Sequence, residues 1–443
     1  MTPTLDRRSA LGLAGLGLAG GGLGWYLTRS AEGAVTVPDR RPEATMEATT
    51  AVAADVSEFG LALLESLGDD DPHGNVALSP LSTFVPLAIT YEGARGETAD
   101  GMQTALSASL DRGRLHPALG ALMYDLEERA ADAGGRSVPQ FWESDRFDLG
   151  ISTALWGQED FPFREAFLDA VESNYGPAIR TVDFAEDPNA AGDRIENWIE
   201  TTTQGRIDDA LPHGFPDRLT RLAIASVVYL FADWADPFDP DDTSTEPFRN
   251  LDGSESTVEM MAQTEEFPTA RFGEDDGDLA GVRAVELPYV GETTSMVCLL
   301  PPEGRFRVFE RHLDGDTLRT VFDELSEGEV RVSLPRFEFD TELRLEETLQ
   351  SLGMDTAFDP GANFDGIVPH SEYPDLHLQD VFSETKVQVD EEGTEAVSVS
   401  VAGIGVESGP LSIRFDRSFI FVIRDRPTDA ALFVGRVVDG ESF

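Results

Sequence analysis

The spacing of apolar residues near the start of the chain predicts a helix that packs on a core. Val56, Phe59, Leu63 and Leu67 recur at three- and four-residue intervals, which places them on one helix face. The run 69–72, made of aspartates and a proline, is typical of the end of a helix. An amphipathic helix should therefore open the folded part of the chain.

Alternation and continuous apolar runs predict strands farther along. The segment 151–156 places Ile151, Thr153 and Leu155 on one face, and a helical pattern over 163–175 follows it. The apolar run 222–231 fits a strand buried on both faces, and the later half adds strands separated by glycine turns. We therefore expect one α+β domain with large mixed or antiparallel sheets and surrounding helices.

The segment 390–410 alternates like a strand, although Gly405, Gly409 and Pro410 close it as they would close an exposed loop. Small, uncharged side chains suit a strand that must lie over a packed core without overfilling it. One face of the segment is almost uniformly of this kind and comprises Thr394, Ala396, Ser398, Ser400, Ala402 and Ile404.

The residues on both sides of this segment resemble motifs of the serpins. The serpin hinge is similar to Glu391, Glu392, Gly393, Thr394, Glu395 and Ala396, and the family's C-terminal signature is similar to 415–425 and 432–437. Further similar motifs occur in the family's order at 75–82, 93–98, 182–184, 198–207, 285–289, 334–337 and 364–367. The resemblance covers residues 52–443 and implies a serpin-like fold with an exposed reactive loop.

The resemblance also implies which residues act. An ungapped count from Gly393 to Phe415 places the protease-sensitive bond at Glu407 and Ser408, although cleavage after Val406 remains an alternative. The inserting face would be Ser398, Ser400, Ala402 and Ile404, with Trp234 at the top of the main sheet. The sheet-opening region would contain Ser79, Ser82, Ser226 and Ser383, the last two at positions where relatives usually carry Asn and His. A permanent edge strand, or a substrate loop that never inserts, is the competing interpretation.

The charge of the chain indicates a salt-rich environment. Its 443 residues include 83 acidic and 33 basic side chains, a formal charge of -50 that is spread along the sequence. Lys386 is the single lysine, so the other basic residues are arginines. Molar salt would screen this self-repulsion, as expected for a halophilic, haloarchaeal-type protein. An acidic protein that binds cations or basic partners is the alternative, and nucleic-acid binding is disfavoured.

The N-terminus predicts export. Arg7 and Arg8 precede a run rich in Leu, Ala and Gly, so residues 1–30 are predicted to be a twin-arginine signal, a general secretory signal or an uncleaved anchor. Residues 31–51 are polar and predict a flexible spacer, and the resemblance implies that residues 52–443 form a serpin domain. We expect a secreted or cell-surface protein whose only membrane contact is an uncleaved N-terminal segment.

Enzymatic chemistry has little support in the sequence. The single cysteine, Cys298, lies in an apolar run that predicts a buried strand rather than a reactive thiol. No zinc-type His-Glu-x-x-His spacing, nucleophile elbow or phosphate-binding glycine loop occurs. We therefore expect no catalytic residue, no cofactor and no metal site.

The resemblance to the serpins, together with the predicted export, implies a monomeric, single-use inhibitor of an extracellular serine protease. The resemblance implies that the protease becomes trapped as an acyl complex when the reactive loop inserts into the main sheet. Glu407 favours a protease that accepts acidic residues, whereas a subtilisin-like protease of broad specificity is the alternative. A non-inhibitory serpin that binds or stores a partner, or a cell-surface interaction module, is the competing functional class.

Overall fold

A computed structural model describes residues 38, 40–135, 147–176, 179–203, 205, 207, 210–379, 381–393 and 411–443. The helices are α1 (Met46–Asp70), α2 (Pro80–Gly93), α3 (Gly96–Ala105), α4 (Arg112–Gly135), α5 (Glu165–Tyr175), α6 (Pro188–Thr202), α7 (Phe306–Glu310), α8 (Gly315–Glu324), α9 (Glu346–Leu349) and α10 (Asp355–Phe358). The strands are β1 (Val76–Leu78), β2 (Phe147–Gln158), β3 (Arg180–Val182), β4 (Leu222–Ala232), β5 (Ser244–Arg249), β6 (Glu255–Arg271), β7 (Arg283–Pro288), β8 (Thr294–Leu300), β9 (Ser326–Pro335), β10 (Phe337–Arg344), β11 (Phe382–Val389), β12 (Leu411–Arg414), β13 (Phe419–Asp425) and β14 (Ala430–Val437).

The first helix begins earlier than the sequence predicts. Thr45 caps α1 by accepting the amide of Ala48, and the guanidinium of Arg41 binds the carboxylate of Asp125 at 2.7 Å. The predicted spacer, residues 31–51, is therefore wrong at its C-terminal end, because its last residues form the first turns of α1. Ala48 is apolar and buried, so it packs against the core although most of the segment is polar.

The strands of the described residues form three sheets. The largest is mixed and runs in the order β1, β14, β13, β8, β7, β6, β9 and β12, with β5 paired to β6. Its pairs are antiparallel except β12, which runs parallel to β9. A second sheet has the order β3, β2 and β4, and β10 pairs with β11 in the third. The α+β fold with large mixed sheets is confirmed.

The predicted strands and the buried cysteine are confirmed, with one difference in burial. Cys298 is fully buried in β8, and burial raises the pKa of its thiol far above the usual range. The run 222–231 does form β4, but six of its ten side chains, including Tyr229 and Phe231, are only partly buried. The prediction that β4 is buried on both faces was therefore too strong, because the continuous apolar run does not show how much of each side chain is exposed.

Helix α6 covers the β2 and β4 sheet through a separate apolar cluster. Trp198 of α6 packs edge to face on Trp156 of β2, with ring centroids 5.3 Å apart. Arg180 lies over both rings, and its burial lowers the pKa of its guanidinium. This sheet and the helix above it therefore share a core of their own.

None of the described helices combines the length and the apolar character that a membrane span requires.

Candidate functional site

The described hinge residues form a tight turn at the end of β11. The amide of Asp390 donates to the carbonyl of Gly393 at 3.0 Å, which closes a reversal around Glu391 and Glu392. The Oδ1 atom of Asp390 accepts the amides of Glu392 at 3.1 Å and Gly393 at 3.3 Å. This arrangement is an Asx-type turn, in which a short side chain replaces backbone acceptors.

Gly393 is required by the geometry of this turn. Its φ angle is 145°, a conformation that residues with a Cβ atom rarely adopt. A Cβ atom built on Gly393 would collide with the carbonyl oxygen of Ala232 and with the backbone of Asp233. Gly393 also forms an antiparallel bridge with Asp233, directly after β4. The turn therefore brings the end of β11 against the end of β4.

Trp234 holds the turn through its backbone and its ring. Its amide donates to the carbonyl of Glu392 at 2.7 Å, and its indole Nε1 donates to the carbonyl of Asp390 at 3.0 Å. The amide of Phe238 donates to the carbonyl of Glu391 at 2.7 Å. The Trp234 ring is buried and stacks on Tyr289 at a centroid distance of 4.5 Å and an angle of 10°. The predicted sheet-top tryptophan thus contacts the hinge directly.

Three consecutive carboxylates of the hinge are largely buried: Asp390, Glu391 and Glu392. Glu391 accepts a hydrogen bond from the hydroxyl of Thr243 at 2.7 Å, and Arg336 lies 3.6 Å from its second oxygen. Burial raises the pKa of the Asp390 carboxyl, while the two amide donors and Arg336 oppose that shift. The buried carboxylates of the hinge therefore depend on specific hydrogen-bond donors and on Arg336 to remain charged.

The strands on either side of the hinge belong to different ladders. Strand β4 pairs along its length with β2, and β11 pairs along its length with β10. Among the described residues no ladder joins β4 to β11, and the bridge between Asp233 and Gly393 links their ends. Within the described residues, β4 and β11 therefore each form a ladder along one side only.

The predicted sheet-opening serines make two separate sets of contacts. Ser79 caps α2 by accepting the amide of Ser82 at 3.3 Å, and the Ser82 hydroxyl donates to the Ser79 carbonyl at 3.0 Å. The hydroxyl of Ser226 instead lies 3.1 Å from that of Thr153 on β2. The buried Oγ of Ser383 has no hydrogen-bond partner among the described residues. No described hydrogen bond connects Ser226 or Ser383 to the α2 cap.

The chain beyond the reactive loop is anchored by β12. Arg414 on β12 forms an ion pair with Glu246 on β5. The carbonyl of Asp416 accepts the amide of Arg249 at 2.9 Å. The segment 394–410 thus joins two fixed points, the hinge turn and β12. The remaining predicted site residues lie outside the described residues: Thr394, Glu395, Ala396, Ser398, Ser400, Ala402, Ile404, Glu407 and Ser408.

Sequence reasoning missed two contributors to the hinge. It gave no role to Asp390, although an Asp three residues before a Gly is a recognisable turn signal. It also missed the stacking of Tyr289 on Trp234, because ring contacts between distant segments leave no local pattern.

Among the described residues, no group of three or more His, Cys, Asp or Glu is placed to hold a metal ion.

A family profile described as serpin (serine protease inhibitor) matches residues 54–440. The chain belongs to the serpin family. Members of this family are protease inhibitors and generally not enzymes. This serpin is 33% identical over 87% of its length, and 84% of the relative, to an uncharacterised serpin-like protein of Thermococcus kodakarensis. It is 32% identical to the leukocyte elastase inhibitor of Bos taurus, over 86% of this chain and 97% of that protein. Antithrombin-III of Mus musculus is 30% identical, over 90% of this chain and 83% of that protein.

Proposed function

We propose that this serpin is a single-use inhibitor of an extracellular serine protease. The observation that carries the proposal is the hinge turn, which is hydrogen-bonded to the residues just after β4 and lies at the end of β11. A strand that continued from such a turn would run antiparallel to β11, as strands joined by a two-residue turn do. This geometry supports the proposal that the loop inserts between β4 and β11.

The proposed reaction begins as ordinary proteolysis. The hydroxyl oxygen of the protease serine attacks the carbonyl carbon of Glu407 and gives its proton to the protease's own base. The peptide bond to Ser408 breaks, and that proton passes to the departing amine, which leaves an acyl ester on Glu407. Insertion of the loop then removes the ester from the protease's hydrolytic geometry before water attacks it. This order of reaction steps is inferred from the resemblance to the serpin family.

The distances involved are sufficient to displace a protease. About 12 residues in extended form span about 40 Å at about 3.3 Å per residue. An attached protease would therefore be carried across much of the inhibitor. We propose a target that accepts an acidic residue before the cut bond, because Glu407 occupies that position. The alternative target is a broad subtilisin-like protease that cuts after Val406. The gel experiment below distinguishes this target from one that cuts after Glu407.

We also propose that the protein acts outside the cytoplasm, as a monomer, in salt-rich surroundings. Arg7 and Arg8, followed by an apolar run, support export. The formal charge of -50 supports a high-salt setting, because screening is then needed to offset self-repulsion. The same charge opposes binding to nucleic acid.

A gel experiment tests the inhibitory function. The protein is incubated in molar salt with proteases secreted by its own organism and analysed under denaturing conditions after boiling. We expect a covalent complex together with a released C-terminal peptide that begins at Ser408, identified by mass spectrometry. A peptide that begins at Glu407 would move the cut bond to Val406. Clean cutting without any complex would favour the non-inhibitory class.

A further inference from the structure

The Asp390 side chain accepts hydrogen bonds from the backbone of the hinge turn. Oδ1 of Asp390 accepts the amides of both Glu392 and Gly393, the two residues that follow the bend of the chain. Buried amides must find acceptors, since an unpaired buried donor is costly. Asp390 is largely buried itself, so water has little access to take its place. The carboxylate therefore closes the turn together with the backbone hydrogen bond from the Asp390 amide to the Gly393 carbonyl.

The backbone of the turn is otherwise committed to the segment after β4. The carbonyls of Asp390, Glu391 and Glu392 each accept a hydrogen bond from Trp234 or Phe238. These three bonds fix the position of the turn, and the Asp390 carboxylate fixes its shape. Loss of the carboxylate would leave the turn attached to Trp234 and closed only by the hydrogen bond from the Asp390 amide to the Gly393 carbonyl, so the turn would open more readily. The direction in which the chain leaves Gly393 would then be less well defined.

We propose that Asp390 is a positioning residue for trapping: its carboxylate closes the hinge turn and so directs the reactive loop toward the space between β4 and β11. This inference rests on the proposed inhibitory function. Insertion competes with hydrolysis of the acyl ester, so a hinge that is aligned beforehand raises the fraction of encounters that end in a trapped protease. Asp390 acts through the loop and does not itself touch the protease.

The oxygen atom matters in this proposal, and the charge does not. The charged groups nearest Asp390 are Arg336, which favours the carboxylate, and Glu391, which opposes it. Burial is the largest influence and opposes the charged form. Asparagine keeps an oxygen at the position of Oδ1 without the charge. Asp390→Asn should therefore preserve the turn, whereas Asp390→Ala should leave both amides without their acceptor.

Asp314 offers a matched control elsewhere in the fold. It caps α8 by accepting the amide of Thr317 at 2.8 Å, so Asp314→Ala also removes a carboxylate that satisfies a backbone amide. Asp314→Ala should lose stability as loss of a cap does, and Asp390→Ala should lose at least as much, because Asp314 is exposed and water can replace its carboxylate. Only the Asp390 variant should change trapping. The comparison separates a general loss of stability from a loss of alignment.

The experiment measures the ratio of cut to trapped inhibitor on a denaturing gel for the parent and the three variants. For Asp390→Ala we expect this ratio to rise about fivefold, equivalent to about 1 kcal/mol at about 1.36 kcal/mol per factor of ten. Asp390→Asn and Asp314→Ala should stay within about twofold of the parent. Equal trapping by Asp390→Ala and the parent would overturn the proposal, as would an Asn variant that behaves like the Ala variant.

Hydrogen exchange at the amides of Glu392 and Gly393 tests the turn without any protease. We expect at least fivefold faster exchange in Asp390→Ala than in the parent, and little change in Asp390→Asn. A parent that is cut without forming a complex would remove the proposed inhibitory function and, with it, the trapping role of Asp390. Unchanged exchange in Asp390→Ala would instead show that its carboxylate does not close the turn.

Discussion

At the scale of single residues, the hinge depends on atoms that have no substitute. Gly393 has a φ angle of 145° and lies against the backbone of Ala232 and Asp233, so a side chain at this position needs space that the backbone occupies. The neighbouring Trp234 contributes a ring nitrogen that reaches the carbonyl of Asp390. Each contact involves one defined atom, and a small substitution should therefore have a specific effect.

Glu127 on α4 should make stability depend on pH near neutrality. Burial, and to a lesser extent Glu128, raises the pKa of the Glu127 carboxyl to about 7. A raised folded-state pKa means that the contribution to stability is fully present below the ordinary glutamate pKa and is lost as pH rises through about 7. We expect the melting temperature of the parent to fall between pH 5 and 8 more than that of Glu127→Gln. Parallel melting curves across this range would contradict the expectation.

At the scale of elements, sequence patterns predicted strands and helices better than their contacts. The alternation of 151–156 and the apolar run 222–231 correctly predicted β2 and β4, because period and composition act locally. The start of α1 at Met46 was missed, because its first turn mixes polar and apolar residues, and the segment before it is held by the Thr45 cap and by the distant contact of Arg41 with Asp125. The Asp390 turn was missed for a similar reason, since its partners lie near Trp234.

The insertion of the loop as a strand should fail when its first small side chain is enlarged. Thr394 leads the small face, so we expect Thr394→Arg to be cut by the target protease without forming a complex. The reason is that an unpaired charge would have to enter the interior, at a cost of several kcal/mol. The parent, in contrast, should form the complex and gain melting temperature after cutting.

Thr394→Ser is the matched control for this prediction, because serine keeps the hydroxyl and a small volume. It should trap as the parent does, as judged by the complex on a denaturing gel. Equal trapping by Thr394→Arg and the parent would mean that the loop does not insert from the hinge onward.

At the scale of the whole molecule, the charge of -50 should make folding depend on salt. The Debye length grows from about 3 Å in molar salt to about 30 Å at about 0.01 M, so surface charges repel one another over longer distances in dilute buffer. Buried pairs respond less, such as Arg424 and Glu286 at 2.8 Å. We expect the melting temperature to fall steeply as KCl is removed.

Sucrose serves as the control for this salt dependence, because it favours compact states without screening charge. Sucrose should restore only part of the stability that is lost on removing KCl. A melting temperature that stays constant between dilute and molar KCl would rule out self-repulsion as the dominant effect.

Export is a property of the precursor as a whole. If Arg7 and Arg8 form a twin-arginine signal, replacing both by Lys keeps the positive charge but should retain the precursor inside the cell. Immunoblots of cell and medium fractions measure this outcome. Replacing Arg29, which follows the apolar run, is the matched control and should leave export intact. Normal secretion of the double Lys variant would exclude the twin-arginine route.

Lys386 makes β11 chemically unique. Its ammonium lies 3.2 Å from Glu338 and 3.5 Å from Asp340, on the exposed side of the β10 and β11 pair. Because it is the single lysine, an amine-directed fluorophore can label only one side chain, on the strand that borders the proposed insertion site, once the α-amino group of the chain has been blocked. The hydrogen bond to Glu338 raises the pKa of this amine, so labelling should require alkaline buffer to expose the neutral nucleophile. Such a dye would report movement beside β11 in real time, in a protein that needs no engineered cysteine.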